Sequence, residues 1–218
     1  MKDRYLFLFG GNPSLLQANQ TFVQKCGGKK AHIALLITYS PKWKEYLPFY
    51  VQTWEELGIN SYSVIMPDEN NQLAYDQATN TLAQSTGIFI GGGSTYEYHK
   101  QYTKSPIKQL IKEHYYNGFP VAACSAGALI SLTESFISPN ESKTKEIEMI
   151  KGIGLLSNIL IGVHYTEDKQ EPYLHSALNQ TSIPFGYGID ENACVVFKNE
   201  DHLTNIGNSV HSIKISSN

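Results

Sequence analysis

Apolar positions along this chain gather in short runs, at residues 5–9, 31–37, 61–65, 87–90, 119–123 and 159–163. Several runs are apolar throughout instead of alternating, the pattern of strands covered on both faces. Between them lie stretches of helical length at residues 13–25, 44–57, 73–84, 95–102 and 106–117. The second and last of these run into Gly58 and Gly118, good stop signals for a helix. Strand and helix therefore alternate, which predicts a parallel sheet with helices on both sides. After residue 185 the spacing shortens. Residues 184–189, 193–198 and 209–215 read as strands joined by turns, an antiparallel extension at the C-terminal edge. Residues 138–151 are polar and charged and read as a surface loop or lid. No repeat or interdomain linker breaks the pattern. The 218 residues are thus expected to form a single α/β domain, residues 1–218.

The net charge of −3 lacks the basic excess of a duplex-binding surface, so no nucleic-acid partner is expected. Cys26, Cys124 and Cys194 fit neither a zinc spacing nor a closed set of disulfides. Free thiols suit a reducing compartment, and a cytoplasmic location is expected. The apolar run at residues 5–9 is too brief for a leader, and Asp3 precedes it. No run is long enough to span a bilayer, so no membrane partner is expected. Monomer and homodimer are both compatible with this composition.

The chemical signal lies in the turn Ala123-Cys124-Ser125-Ala126-Gly127-Ala128. An apolar strand runs into it and a helix opens from it. A serine on such a turn is held on a strained backbone with its oxygen projecting from the sheet edge. The residues two before and two after must be small, and here they are Ala123 and Gly127. The helix N-terminus aims N–H groups at the same place and favours developing negative charge. The plainer reading is a serine acting only as a helix N-cap. Cys124 is a rival nucleophile, but the glycine then falls out of register.

A second signal is Gly91-Gly92-Gly93-Ser94-Thr95, directly after a buried strand. Glycines there permit close backbone approach, and their N–H groups can form an anion-binding concavity. The run is neither a Walker A loop nor a dinucleotide-binding fingerprint. A hydrolase elbow takes one oxyanion donor from the residue after the nucleophile and a second from another strand-end loop. Ala126 and Gly93 would be those donors.

A serine needs a base, and seven histidines are available. His164 follows the buried run 159–163 and sits at a strand end, where open α/β sheets assemble their sites. His32, His99, His114, His175, His202 and His211 fall on helix faces, at the wrong strand end or in late hairpins. An orienting carboxylate would come from Gly188-Ile189-Asp190-Glu191-Asn192, between two late strands. Asp190 and Glu191 point to opposite sides of an extended backbone, and spacing does not choose between them.

Taken together, Gly91–Thr95, Ser125-Ala126-Gly127-Ala128, His164-Tyr165 and Gly188-Ile189-Asp190-Glu191 resemble peptidase family S51, which contains the α-aspartyl dipeptidases (dipeptidase E) and the cyanophycinases. The resemblance implies a three-layer αβα sandwich similar to class I glutamine amidotransferases and to flavodoxin, with serine replacing their cysteine. It implies Ser125 as nucleophile, His164 as base and Glu191, not Asp190, as orienting acid. Gly93 and Ala126 would form the oxyanion hole, with Gly92, Ser94 and Thr95 binding substrate. No metal or other cofactor is implied. Two departures stand out. Ser94 replaces the family's usual Asn, and residues 164–171 contain no arginine, only Lys169 among the acids Glu167, Asp168 and Glu171. Lys does not replace a bidentate Arg–carboxylate contact. The expected substrate is therefore a short peptide or related amide without strict aspartyl specificity. Two other readings share the elbow. An α/β-hydrolase esterase would need Asp168 or Asp190 followed by His202 or His211, and a non-catalytic protein would bind a small molecule or peptide in the same cleft.

Overall fold

A computed structural model of the chain describes residues 2–215. In chain order the elements are β1 (Tyr5–Phe9), α1 (Leu16–Lys25), β2 (His32–Leu36), α2 (Trp43–Glu56), β3 (Ser61–Ile65), α3 (Tyr75–Gln84), β4 (Gly87–Ile90), α4 (Thr95–Tyr102), α5 (Ile107–Tyr116), β5 (Val121–Cys124), α6 (Ala126–Ser131), β6 (Glu134–Ile137), β7 (Glu148–Lys151), β8 (Ile159–Val163), α7 (Glu171–Asn179), β9 (Phe185–Ile189), β10 (Ala193–Lys198), β11 (Asp201–Gly207) and β12 (Val210–Lys214).

The central sheet has seven strands in the order β11-β10-β1-β5-β4-β2-β3. Strands β1 to β5 run parallel, while β10 lies antiparallel to β1 and β11 antiparallel to β10. Successive side chains of a strand face opposite layers, and here both layers are apolar. Leu6, Leu8, Ile88, Ile90, Val121 and Ala123 pack against α3, α4, α5 and α6. Their neighbours Phe7, Phe9, Phe89, Ala122 and Cys124 pack against α1 and α2. Burial on both faces explains the unbroken apolar runs, and the three-layer αβα sandwich follows from it. Asn19 is among the polar side chains buried in this core, and it is hydrogen-bonded. The buried Asn19 side chain accepts the Trp54 indole N–H at 2.7 Å and donates to the carbonyls of Pro13 and Leu15.

The structure departs from the sequence pattern in four places. Helix α1 begins at Leu16 and not at Pro13, because the Asn12 side chain accepts the Ser14 N–H at 2.9 Å and holds a turn there. Strand β8 is not part of the central sheet. It pairs with β9 in a separate three-stranded sheet, β12-β9-β8, backed by α7. The antiparallel extension is thus divided between two sheets. Strand β11 escapes the pattern because it is an exposed edge with polar residues along it. Residues 138–151 are not one loop, since Glu148–Lys151 forms β7 and pairs antiparallel with β6. The Glu141 carboxylate also accepts the N–H and hydroxyl of Thr95 at 2.6 and 2.7 Å, pinning the segment to the start of α4. Among the described residues no helix is long and apolar enough to cross a membrane.

Candidate active site

The loops at the C-terminal ends of β1, β4 and β5 meet the end of β8 at one edge of the sheet. Ser125 follows β5 directly, with φ of 51° and ψ of −116°. A positive φ is unusual for a residue with a side chain and marks local strain. Three backbone bonds hold it. Ser125 N–H donates to the Phe9 carbonyl at 3.1 Å, Gly127 N–H to the Gly91 carbonyl at 3.0 Å, and Leu129 N–H to the Ser125 carbonyl at 3.1 Å. A Cβ on Gly127 would overlap the carbonyl oxygens of Ile90 and Gly91, so only glycine permits this crossing. The Ser125 side chain makes no capping bond to α6. Its hydroxyl points instead to His164 Nε2, 2.9 Å away.

His164 also has a positive φ, 46°, at the end of β8. Its N–H donates to the Gly10 carbonyl, which fastens the second sheet to the end of β1. On the far side of the ring, Nδ1 meets Glu191 Oε2 in a short contact. Glu191 is placed by its own backbone: its N–H donates to the Glu167 carboxylate and its carbonyl accepts the Asn12 N–H. Asp190 points elsewhere. It accepts the Thr166 N–H and hydroxyl at 3.1 and 2.7 Å and faces His211. The alternative pairing of Asp190 with His211 does exist, at 3.3 Å, but the Ser125 hydroxyl is directed at His164.

Four of the remaining histidines have other partners. His32 meets Ser63, His99 the Lys151 carbonyl, and His202 Asn205. His114 stacks on Phe119, and burial pushes its pKa down. Cys124 is buried and donates to the Gly11 carbonyl. Burial, reinforced by the nearby Glu191 charge, pushes its pKa far up, so the thiol stays protonated and unreactive.

In the glycine loop the Gly92 peptide is engaged at both ends. Its N–H donates to the Tyr50 hydroxyl at 3.0 Å, and its carbonyl accepts from the Tyr98 hydroxyl at 3.1 Å. Among the described residues no hydrogen bond engages the N–H of Gly93 or of Ala126. A cavity of 290 Å³ opens beside Ser125 and His164, bordered by Thr95, Leu129, Phe136, Glu141, Asp168 and Gln170. Thr95 reaches it with its polar groups already given to Glu141. Ser94 and Gly92 line a neighbouring cavity across the loop. Sequence reasoning missed Gly10-Gly11, Tyr50 and Tyr98. The glycine pair follows a strand, the same cue that exposed Gly91–Gly93. Nothing local marks the tyrosines, which approach the loop from separate helices.

The chain has relatives with this architecture. It is 26% identical over 195 residues to a cyanophycinase of Trichormus variabilis, covering 86% of this chain and 64% of the relative. The chain thus spans just under two thirds of that relative's length. It is 21% identical over 194 residues to the Bacillus subtilis peptidase YgaJ, covering 88% and 80% of the two chains. A solved peptidase from an acI-B1 Actinobacterium shares the fold with a TM-score of 0.75 over 97% of both chains, at 19% identity. The model of peptidase family S51 matches residues 6–205, nearly the whole chain, and this protein belongs to that family.

Proposed function

We propose that this chain is a serine peptidase that hydrolyses a short peptide or related amide, resembling peptidase E in its chemistry. The observation that carries the reading is the Ser125 hydroxyl 2.9 Å from His164 Nε2, with the Glu191 carboxylate on the opposite ring nitrogen. In this reading His164 takes the Ser125 proton as the oxygen attacks the substrate carbonyl. The carbon becomes tetrahedral, and the N–H groups of Gly93 and Ala126 receive its oxyanion. Glu191 holds the imidazole in the required tautomer and stabilises the imidazolium. Collapse of the intermediate breaks the C–N bond, with the imidazolium protonating the departing amine. Water, deprotonated by His164, then releases the acyl group and restores Ser125. No step calls on a cofactor.

The cavity beside Ser125 weighs against an acidic substrate side chain. Glu141 and Asp168 border it, and no Lys or Arg is among its lining residues. Strict aspartyl specificity is accordingly not part of the proposal. Three buried, unpaired cysteines suit a cytoplasmic location. The test is Ser125→Ala against a dipeptide and isopeptide panel, with cyanophycin included because of the relatives. Loss of turnover in a folded variant supports the mechanism, and unchanged turnover sinks it.

A further inference from the structure

The glycine loop has a second face. Across it from Ser125 lies a cavity of 490 Å³, within the range of about 300–1,000 Å³ typical of small-molecule sites. It belongs to neither the nucleophile nor its histidine. Its walls are mostly apolar: Tyr39, Trp43, Tyr46, Phe49, Tyr50 and Tyr98 contribute rings, and among the described residues Glu97 is the one charged residue lining it. Two of these rings are unusually bare. Tyr46 is 51% exposed and Phe49 is 59% exposed, both on α2. Apolar area left in water at a cavity mouth marks a place where an apolar group is received.

The floor of this cavity is catalytic in location. Gly92 and Gly93 line it. A Cβ built on Gly92 would stand 3.1 Å from the Ser125 Cβ, so the loop is one backbone thick between cavity and nucleophile. Tyr50 and Tyr98 both line the cavity and bond the Gly92 peptide. The polar cavity beside Ser125 and the aromatic cavity therefore lie on opposite faces of one glycine loop.

From this we infer that the aromatic cavity is a specificity subsite, taking an aromatic or bulky aliphatic side chain of the peptide or amide substrate. The inference rests on the proposed serine hydrolysis for its place in the reaction, while the binding itself does not require turnover. An uncharged, apolar occupant matches the ring-lined walls, and an anionic one would lose its hydration against those rings and meet the Glu97 carboxylate.

The test uses the full chain carrying Ser125→Ala, so that no turnover intrudes. N-acetylphenylalaninamide, N-acetylleucinamide and N-acetylglycinamide are titrated while tryptophan emission is followed. Trp43 lines the cavity and Trp54 is fully buried, so Trp43→Phe identifies the reporting ring. The expected result is half-saturation by the Phe and Leu amides at about tenfold lower concentration than by the Gly amide, the gain from burying such a side chain. Tyr46→Ser with Phe49→Ser, two exposed positions where folding tolerates change, should shrink that preference several-fold. Equal response to all three amides overturns the inference, as does a preference that survives the double substitution. If the double substitution changes only the oligomeric mass, the rims are a self-association face and the inference falls. Failure of the serine mechanism reads differently: Ser125→Ala would keep its turnover while the amide preference stood.

Discussion

The hydroxyl of Tyr50, on α2, stands 3.0 Å from the amide nitrogen of Gly92, at the end of β4. Burial raises the phenol to about 12, so it remains a neutral hydroxyl throughout the physiological range. The bond ties the glycine loop to the helical layer behind it. Tyr50→Phe leaves the Gly92 N–H without its partner in a desolvated place, which costs about 1–3 kcal/mol of stability. The neighbouring Gly93 N–H is the proposed oxyanion donor, so kcat should fall by about tenfold with KM little changed. Steady-state kinetics alongside a thermal melt check both halves. A tyrosine that only packs would leave kcat alone.

Gly11 tests the proposed triad from outside it. A Cβ at this position would overlap Glu191 Oε2 and the His164 ring. Both are side-chain atoms that can swing aside, so Gly11→Ala should separate the pair without unfolding the chain. Activity should drop by about 10²–10⁴, the contribution of a positioned general base, while the melting temperature shifts by a few degrees.

The two neighbouring carboxylates should separate cleanly. Glu191→Gln is expected to lose activity by about 10²–10⁴, because the imidazole loses its anionic partner. Asp190→Asn touches Thr166 and His211 instead and should change kcat by less than about tenfold. Measuring kcat/KM for both variants decides the assignment. Equal losses would reject Glu191 as the orienting acid.

Acid should loosen the segment over the site before it reaches the core. The Glu148 carboxylate is held down to about 2, chiefly by the Ser142 hydroxyl and then by Tyr96 and Thr144. A depressed folded pKa stabilises above the ordinary value of 4.5, and that stabilisation is lost as pH falls toward about 2. Hydrogen exchange in residues 138–151 should therefore quicken across that window. In Glu148→Gln the segment should already exchange faster at neutral pH and respond less to acid.

Much of this molecule is legible along the chain. Residues buried on both faces of a sheet must be apolar throughout, so β1, β2, β4 and β5 declare themselves, and helices of the right length fall between them. Strand-to-turn-to-helix chemistry marks Ser125, and a strand end marks His164, because both signals are local. What the chain alone left open was everything set by distance in space. Asp190 and Glu191 are adjacent in sequence, and only the pinning of their turn by Asn12 and Glu167 turns Glu191 toward His164. The membership of β8 in a second sheet is hidden because its buried apolar run looks like that of any core strand, while the polar edge strand β11 and the half-exposed β7 carry no apolar signature. The Tyr50 and Tyr98 bonds to Gly92, and the aromatic cavity they border, join residues from α2, α4 and the loop after β4. Local patterning reports which residues are buried, because burial is decided residue by residue through hydration. It does not report which buried groups meet, because those contacts belong to the packing of whole elements.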